Sequence, residues 1–214
     1  LPNRGGYEST FKSDEQFNSE NSLLKSKYLT ENDLKDYGFK FIGKNVRISS
    51  DVRIYGQENI SIGNNVRIDD FTILSAVNGY INIGNYVFIA RGSHLSGFLG
   101  IDMQDFSSMA ANTVIYSASD DYTGDYLTAQ AIPQKYTAHI GGTVNIGKHV
   151  IIGANSTIIG PCRIGEGCSI GTMSFVQNEL LPWGIYVGIP CKRIKERKKG
   201  LLEIEKQFLS EQNI

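Results

Sequence analysis

The chain has 214 residues, and its 21 Lys+Arg against 22 Asp+Glu leave a net charge of −1, so a polybasic nucleic-acid or membrane-surface binder is not indicated. It holds 26 Ile against 14 Leu, and its 23 Gly are about 11% of the residues where roughly 7% is usual; helical bundles favour Leu and tolerate Gly poorly, so a mostly α-helical protein is excluded. At roughly 150 residues per domain, the length suits one domain with an appendage.

Leu1 to Gly6 has no charged-then-apolar signal layout and is set aside from fold reasoning. Residues 1–40 read as a tail followed by a short helix, because Thr30-Glu-Asn-Asp33 resembles a capping box and Gly38 is a stop signal. From residue 41 an aliphatic residue recurs every six positions. The most regular run has Ile146, Ile152, Ile158, Ile164, Ile170 and Val176, often followed by Gly, with a small or β-branched residue at the fifth place. A strict period of six is a parallel β-helix signature, since an α-helix would smear it around every face. Hexads come in threes starting at 42, 62, 83, 103, 146 and 164, so the spacings are 20, 21, 20, 43 and 18. Every excess over eighteen falls at the third corner of a triangular coil. The fold class is therefore mainly β: about six stacked coils over residues 41–191, one corner of which carries the long insertion 121–143.

Cys162 and Cys168 fall at the small inward position and are read as core thiols; with three Cys and no zinc spacing, a reducing cytoplasm is the expected compartment. His149 is read as a solvated strand residue. Residues 192–214 carry an imperfect apolar stripe of Ile194, Leu201, Leu202, Ile204, Phe208 and Leu209, which predicts a C-terminal helix. No apolar run reaches the roughly 18 residues of a membrane helix.

The tandem hexads, the excursion after Ile115 and the closing segment Leu181-Pro-Trp-Gly-Ile-Tyr-Val-Gly-Ile-Pro-Cys-Lys192-Arg together resemble the left-handed β-helix, hexapeptide-repeat acyltransferases. Among them the chain is similar to enzymes that acylate sugars for O-antigen and capsule, including N-acyltransferases of nucleotide-linked amino-deoxysugars. The resemblance implies left-handedness, a homotrimer with sites between neighbouring helices, acetyl-CoA or another acyl-CoA as co-substrate, and no metal. It places the CoA path along Gly153, Ala154, Gly171, Thr172 and Ser174, with Lys192 and Arg193 near the nucleotide phosphates.

Acyl transfer needs a nucleophile held at the carbonyl, a route for its proton and a donor to the developing oxyanion. The long corner loop is the place to look, and Tyr122, Tyr126 and Tyr136 are its candidate substrate contacts. Where many O-acetyltransferases of this family end a similar segment in a catalytic His, this chain has Ile115-Tyr-Ser-Ala-Ser-Asp120 followed by Asp121. A carboxylate titrating near 4 is a weak base toward a hydroxyl but a good partner for an ammonium group, which favours N-acylation. The structural alternative is that these aspartates cap the corner. His94, assigned by register to a different face from Asp120, and His139, in the loop, are the candidate bases of the rival reading, a sugar O-acetyltransferase. A non-catalytic β-helix scaffold is the reading from another class; a carbonic-anhydrase-like site would need a His spacing that His94, His139 and His149 do not show.

Overall fold

The fold comes from a computed structural model that describes residues 27–129 and 131–212; the tail segment 1–26, and with it Leu1 to Gly6, lies outside them. The hexads form three parallel sheets, one per face. The first face stacks Phe41–Ile42, Ile60–Ile62, Ile81–Ile83, Ile101–Met103, Val144–Ile146 and Cys162–Ile164. The second stacks Arg47–Ile48, Arg67–Ile68, Phe88–Ile89, Ser108–Met109, Ile151–Ile152 and Ser169–Ile170; the third stacks Arg53–Tyr55, Ile73–Ser75, His94–Ser96, Val114–Tyr116, Thr157–Ile159 and Phe175–Val176. Six coils are complete, and a seventh starts at Leu180, bridged to Ile164 on the first face, and continues as Gly184–Val187 on the second.

Register explains the periodicity. Residues of equal hexad phase lie directly above one another, as in Met103 over Ile83, Ile89 over Ile68 and Ile158 over Ile115. Every inward aliphatic side chain from the second coil upward is buried, so the Ile excess is one continuous apolar column that no single coil could bury alone. Cys162 and Cys168 belong to this column, and burial pushes the Cys162 thiol up to about 12. Ser107 occupies the place held by Val87 in the coil below and Val150 in the coil above, and its hydroxyl is buried with no hydrogen-bond partner. Replacing an orphaned polar group of this kind removes a desolvation penalty of about 1–3 kcal/mol. Ser107→Ala is therefore expected to raise the melting temperature by about 2–4 °C or more in a thermal scan; an unchanged or lower value would show that the hydroxyl has a partner.

The corner between the first and second faces uses left-handed residues in every coil: Asn45, Asn65, Tyr86, Phe106, His149, Gly167 and Trp183. From Tyr86 onward the bulky ones form a ladder, with Tyr86 stacked on Phe106 at 4.8 Å and Phe106 on His149 at 5.4 Å. The C-terminal helix α2, Leu201–Glu211, covers this ladder. Phe208 meets Tyr86 edge-on, and Glu205 contacts His149 Nε2 at 2.8 Å and the Lys148 ammonium. Burial pushes the Glu205 carboxyl up, but the Lys148 and His149 contacts outweigh it and hold the group below its ordinary value. His149 is thus 7% exposed at a corner, not solvated on a strand; the hexad pattern does not show which corner a helix will cover.

The chain does not run as helix from residue 192. Lys192–Glu196 forms a strand antiparallel to Gly184–Val187, closing the unpaired edge left by the seventh turn, and the helix begins only after Gly200. Arg197 fixes this turn by donating to the carbonyls of His149 and Gly167. At the other end the short helix α1, Glu31–Asp36, starts in a reciprocal Thr30–Asp33 capping box and buries Leu34 on the first coil. No helix among the described residues is long and apolar enough to cross a membrane.

Candidate active site

The vertex between the third and first faces carries all the insertions. After Val114–Tyr116 the chain leaves the coil as a strand, Ala118–Asp120, and returns antiparallel as His139–Gly141, pairing Ala118 with Gly141, Ser119 with Ile140 and Asp120 with His139. Gly141 permits the close return: it has φ +158°, and a Cβ there would sit 2.2 Å from the Ser117 carbonyl oxygen. Hydrogen bonds from Gly142 N to Ser117 O, and from Leu127 N to Tyr136 O, tie the neck and the middle of the excursion. Within 121–143, expected to lack regular structure, His139–Gly141 is the returning strand of the hairpin and Gln134–Tyr136 is a 3-10 turn.

The two aspartates part company. Asp121 is 3% exposed and faces its own loop. Its carboxylate accepts the Thr123 hydroxyl at 2.7 Å and the backbone N–H groups of Thr123, Gly124, Asp125 and Tyr126 at 2.9–3.1 Å. These bonds, the Thr123 side chain foremost, hold its pKa down to about 2. Asp120 instead opens onto a cavity of about 240 Å³. Phe98, Ile132 and Ala129 give that cavity apolar wall, while Asn78, Thr137 and Gln134 add neutral polar groups. His139 lies across from Asp120, with Nδ1 3.8 Å from Oδ1 and its ring against Phe98 at 4.5 Å. A partly exposed carboxylate, an imidazole and neutral hydrogen-bonding groups around a small cavity suit an amine-bearing polar molecule.

Phe98 and Asn78 went unnoticed in the sequence. Their signal is the two or three extra residues that the second and third coils carry at the same vertex as the long loop, since stacked coils superimpose their insertions.

The other candidates lie elsewhere. His94 does not line the cavity. It opens the third-face strand, because each strand begins one residue before its inward aliphatic residue, so it shares the face that leads into the hairpin rather than occupying a different one. It packs edge-on to Tyr116, and burial lowers its pKa. Tyr122 is 90% exposed, and Tyr126 and Tyr136 are about half exposed on the outside of the excursion. The Lys135 ammonium lies over the Tyr136 ring.

Gly153, Ala154, Gly171 and Thr172 stack at the opposite edge of the third face, the corner it shares with the second. A Cβ on Gly153 would lie 2.5 Å from Thr172 N, so the tight coil spacing itself requires glycine. Ser174 is buried there, donating to Gly171 O and accepting from Gly188 N. Lys192 is exposed on the closing strand, and Arg193 bonds Glu196 at 2.6 Å beside the Tyr186 ring.

Residues 138–178 match the family model described as bacterial transferase hexapeptide (six repeats). The chain is 44% identical over 181 residues to a dTDP-4-amino-4,6-dideoxy-D-glucose acyltransferase of Escherichia coli, an alignment covering 85% of this chain and 94% of that enzyme. It is 45% identical to AntD, an N-acyltransferase from Bacillus cereus solved with dTDP and 3-hydroxybutyryl-CoA, with a TM-score of 0.84 over 88% of this chain and all of that one. A maltose O-acetyltransferase from Clostridium difficile 630 shares the fold at 23% identity and a TM-score of 0.54, over 86% of this chain and 82% of that one.

Proposed function

The chain belongs to the hexapeptide-repeat acyltransferases of the left-handed β-helix fold, and on that footing we propose that it transfers an acyl group from CoA to the amino group of a dTDP-linked amino-dideoxysugar. The observation that carries the acceptor is Asp120, a carboxylate open to the hairpin cavity. In this reading Asp120 holds the ammonium form of the sugar and aims it. Once the ammonium has released one proton to water, the free amine attacks the thioester carbon; the C–N bond forms, the C–S bond breaks, and the second nitrogen proton leaves with the thiol. An amine needs no stronger base than this, whereas a hydroxyl would.

The Asp120–His139 pair could also serve an O-transferase, with His139 as base and Asp120 orienting it. Identity of 44% to a dTDP-4-amino-4,6-dideoxy-D-glucose acyltransferase and 45% to the N-acyltransferase AntD, along nearly their whole length, favours the amine.

In this proposal a homotrimer makes the sites, each between two neighbouring chains. The hairpin and the glycine corner sit at opposite edges of the third face, separated by roughly 15 Å of strand, while attack requires approach to about 3–3.5 Å. A neighbouring copy brings its glycine corner to the hairpin of the first, and the outward Ile73, Val114, Ile159 and Phe175 give the face an apolar surface to pack. Gly153, Ala154, Gly171, Thr172 and Ser174 would form the wall for the pantetheine, with Lys192 and Arg193 beyond it for phosphate. Three thiols without disulfides and a nucleotide-sugar acceptor fit a cytoplasmic step that supplies surface polysaccharide such as O-antigen.

Mass spectrometry of products from acetyl-CoA or 3-hydroxybutyryl-CoA with dTDP-4-amino-4,6-dideoxyglucose and its 4-hydroxy counterpart tests the reading. An amide on the amino sugar alone is expected. Ester formation on the hydroxy sugar would overturn it in favour of O-transfer, and no product from either would remove the acyl-transfer reading itself.

A further inference from the structure

We propose that His139 is a positioning residue, which pins one oxygen of Asp120 from across the hairpin so that the other faces the acceptor nitrogen. The inference rests on the acyl-transfer reading above. The pairing is imposed by the fold: Asp120 and His139 are the last register pair of the hairpin, so their backbones cannot separate without opening it. On its other side the imidazole is packed by Phe98, at 4.5 Å between ring centroids and 53° between planes, and Phe98 belongs to the coil below. His139 is therefore held between a strand partner and a separate part of the wall.

The Nδ1 to Oδ1 separation is 3.8 Å, longer than a hydrogen bond, and closing it takes a small rotation of either side chain. Of the described residues lining the cavity, only Asp120 and His139 are ionisable, so no other charged side chain there competes for the carboxylate.

Two consequences bear on the reaction. Asp120 is about a third exposed, so without a donor its carboxylate would sample several rotamers; a fixed Oδ1 leaves Oδ2 at one place, and acyl transfer is sensitive to displacements of about 1 Å. A carboxylate already engaged on one oxygen also pulls less strongly on the ammonium, so the nitrogen releases its proton more readily. Both effects act on the attacking amine. The nucleotide arm supplies ground-state affinity, so the loss of His139 should appear in kcat and not in KM.

Two substitutions separate donation from packing. His139→Phe keeps a ring against Phe98 and removes the donor; His139→Asn gives up the ring but places an amide nitrogen where Nδ1 stands. Expected are a kcat about tenfold or more lower for His139→Phe, with KM for the nucleotide sugar changed by less than about twofold, and recovery of most of that loss in His139→Asn. Wild-type kcat in His139→Phe, or equal damage in both variants, would overturn the proposal.

A second measurement needs no turnover. Nitrogen-15 spectra of the ligand-free full chain, with the imidazole neutral, should show the His139 proton on Nδ1, the tautomer that donates to Asp120. A proton on Nε2 with Nδ1 bare would overturn the pairing. Should the wild type acylate no nucleotide amino sugar, the proposed function falls, while the tautomer still decides the pair.

Discussion

Asp120→Asn is expected to lower kcat/KM for the amino sugar by about tenfold to a hundredfold, as removal of one charge-assisted contact of about 1.5–3 kcal/mol implies. Asparagine keeps the size of the side chain and its hairpin position but cannot neutralise an ammonium group. The change should spare the fold: Asp120 lies outside the apolar column and makes its closest charged contact with His139 at 3.8 Å. Steady-state kinetics with both substrates varied, together with a melting curve and sedimentation of the variant, check the expectation. Turnover like that of the wild type would remove Asp120 from the site, and a lower melting point with dissociated chains would assign it a structural role.

Asp121→Ala should fail differently, by releasing the excursion rather than by losing a contact to substrate. Alanine removes the acceptor for four backbone N–H groups and one hydroxyl at once; the other carboxylate of the turn, Asp125, accepts the Thr123 hydroxyl at 3.2 Å but none of the four N–H groups. Chymotryptic cleavage between 122 and 138 should accelerate about tenfold or more, since a segment freed from its local bonds opens far more often than one held by them. KM for the nucleotide sugar should rise with it, because Ile132 and Thr137 reach the cavity from this excursion. Asp121→Asn retains one acceptor oxygen and should fall between the two. Cleavage and kinetics unchanged from wild type would show that the hairpin neck alone orders the excursion.

Acid should reproduce the alanine phenotype in the unmutated chain. The Asp121 pKa is about 2 in the fold and near 3.9 in an unfolded segment, so it is depressed on folding. Its contribution to order is complete above about pH 4 and is lost as pH falls through about 2. Hydrogen-exchange protection of residues 122–126, taken relative to the free-chain rate at each pH, should therefore fall across that window in the wild type and be already low in Asp121→Ala.

The hexad period was enough to derive the triangular coil, its inward residues and the vertex that takes insertions, because in a β-helix each coil repeats the same local contacts and register converts sequence phase directly into position. Thr30 and Asp33 likewise announced α1 through bonds only three residues long. The loop's importance was legible for the same reason: it interrupts a period. Tertiary structure alone decided which of two adjacent aspartates turns inward on its own loop and which opens to the cavity, since that depends on the hairpin pairing Asp120 with His139 and on four N–H groups converging on Asp121. It also placed Phe98 and Asn78 at the site from coils about twenty and forty residues earlier, packed His94 against Tyr116 outside the cavity, buried His149 under α2, and gave Lys192–Glu196 to the open sheet edge. Residues that repeat are positioned by their own neighbours in the chain and so can be read from it; residues that depart from the repeat are positioned by whatever non-local surface they meet, and only the folded chain brings that surface to them.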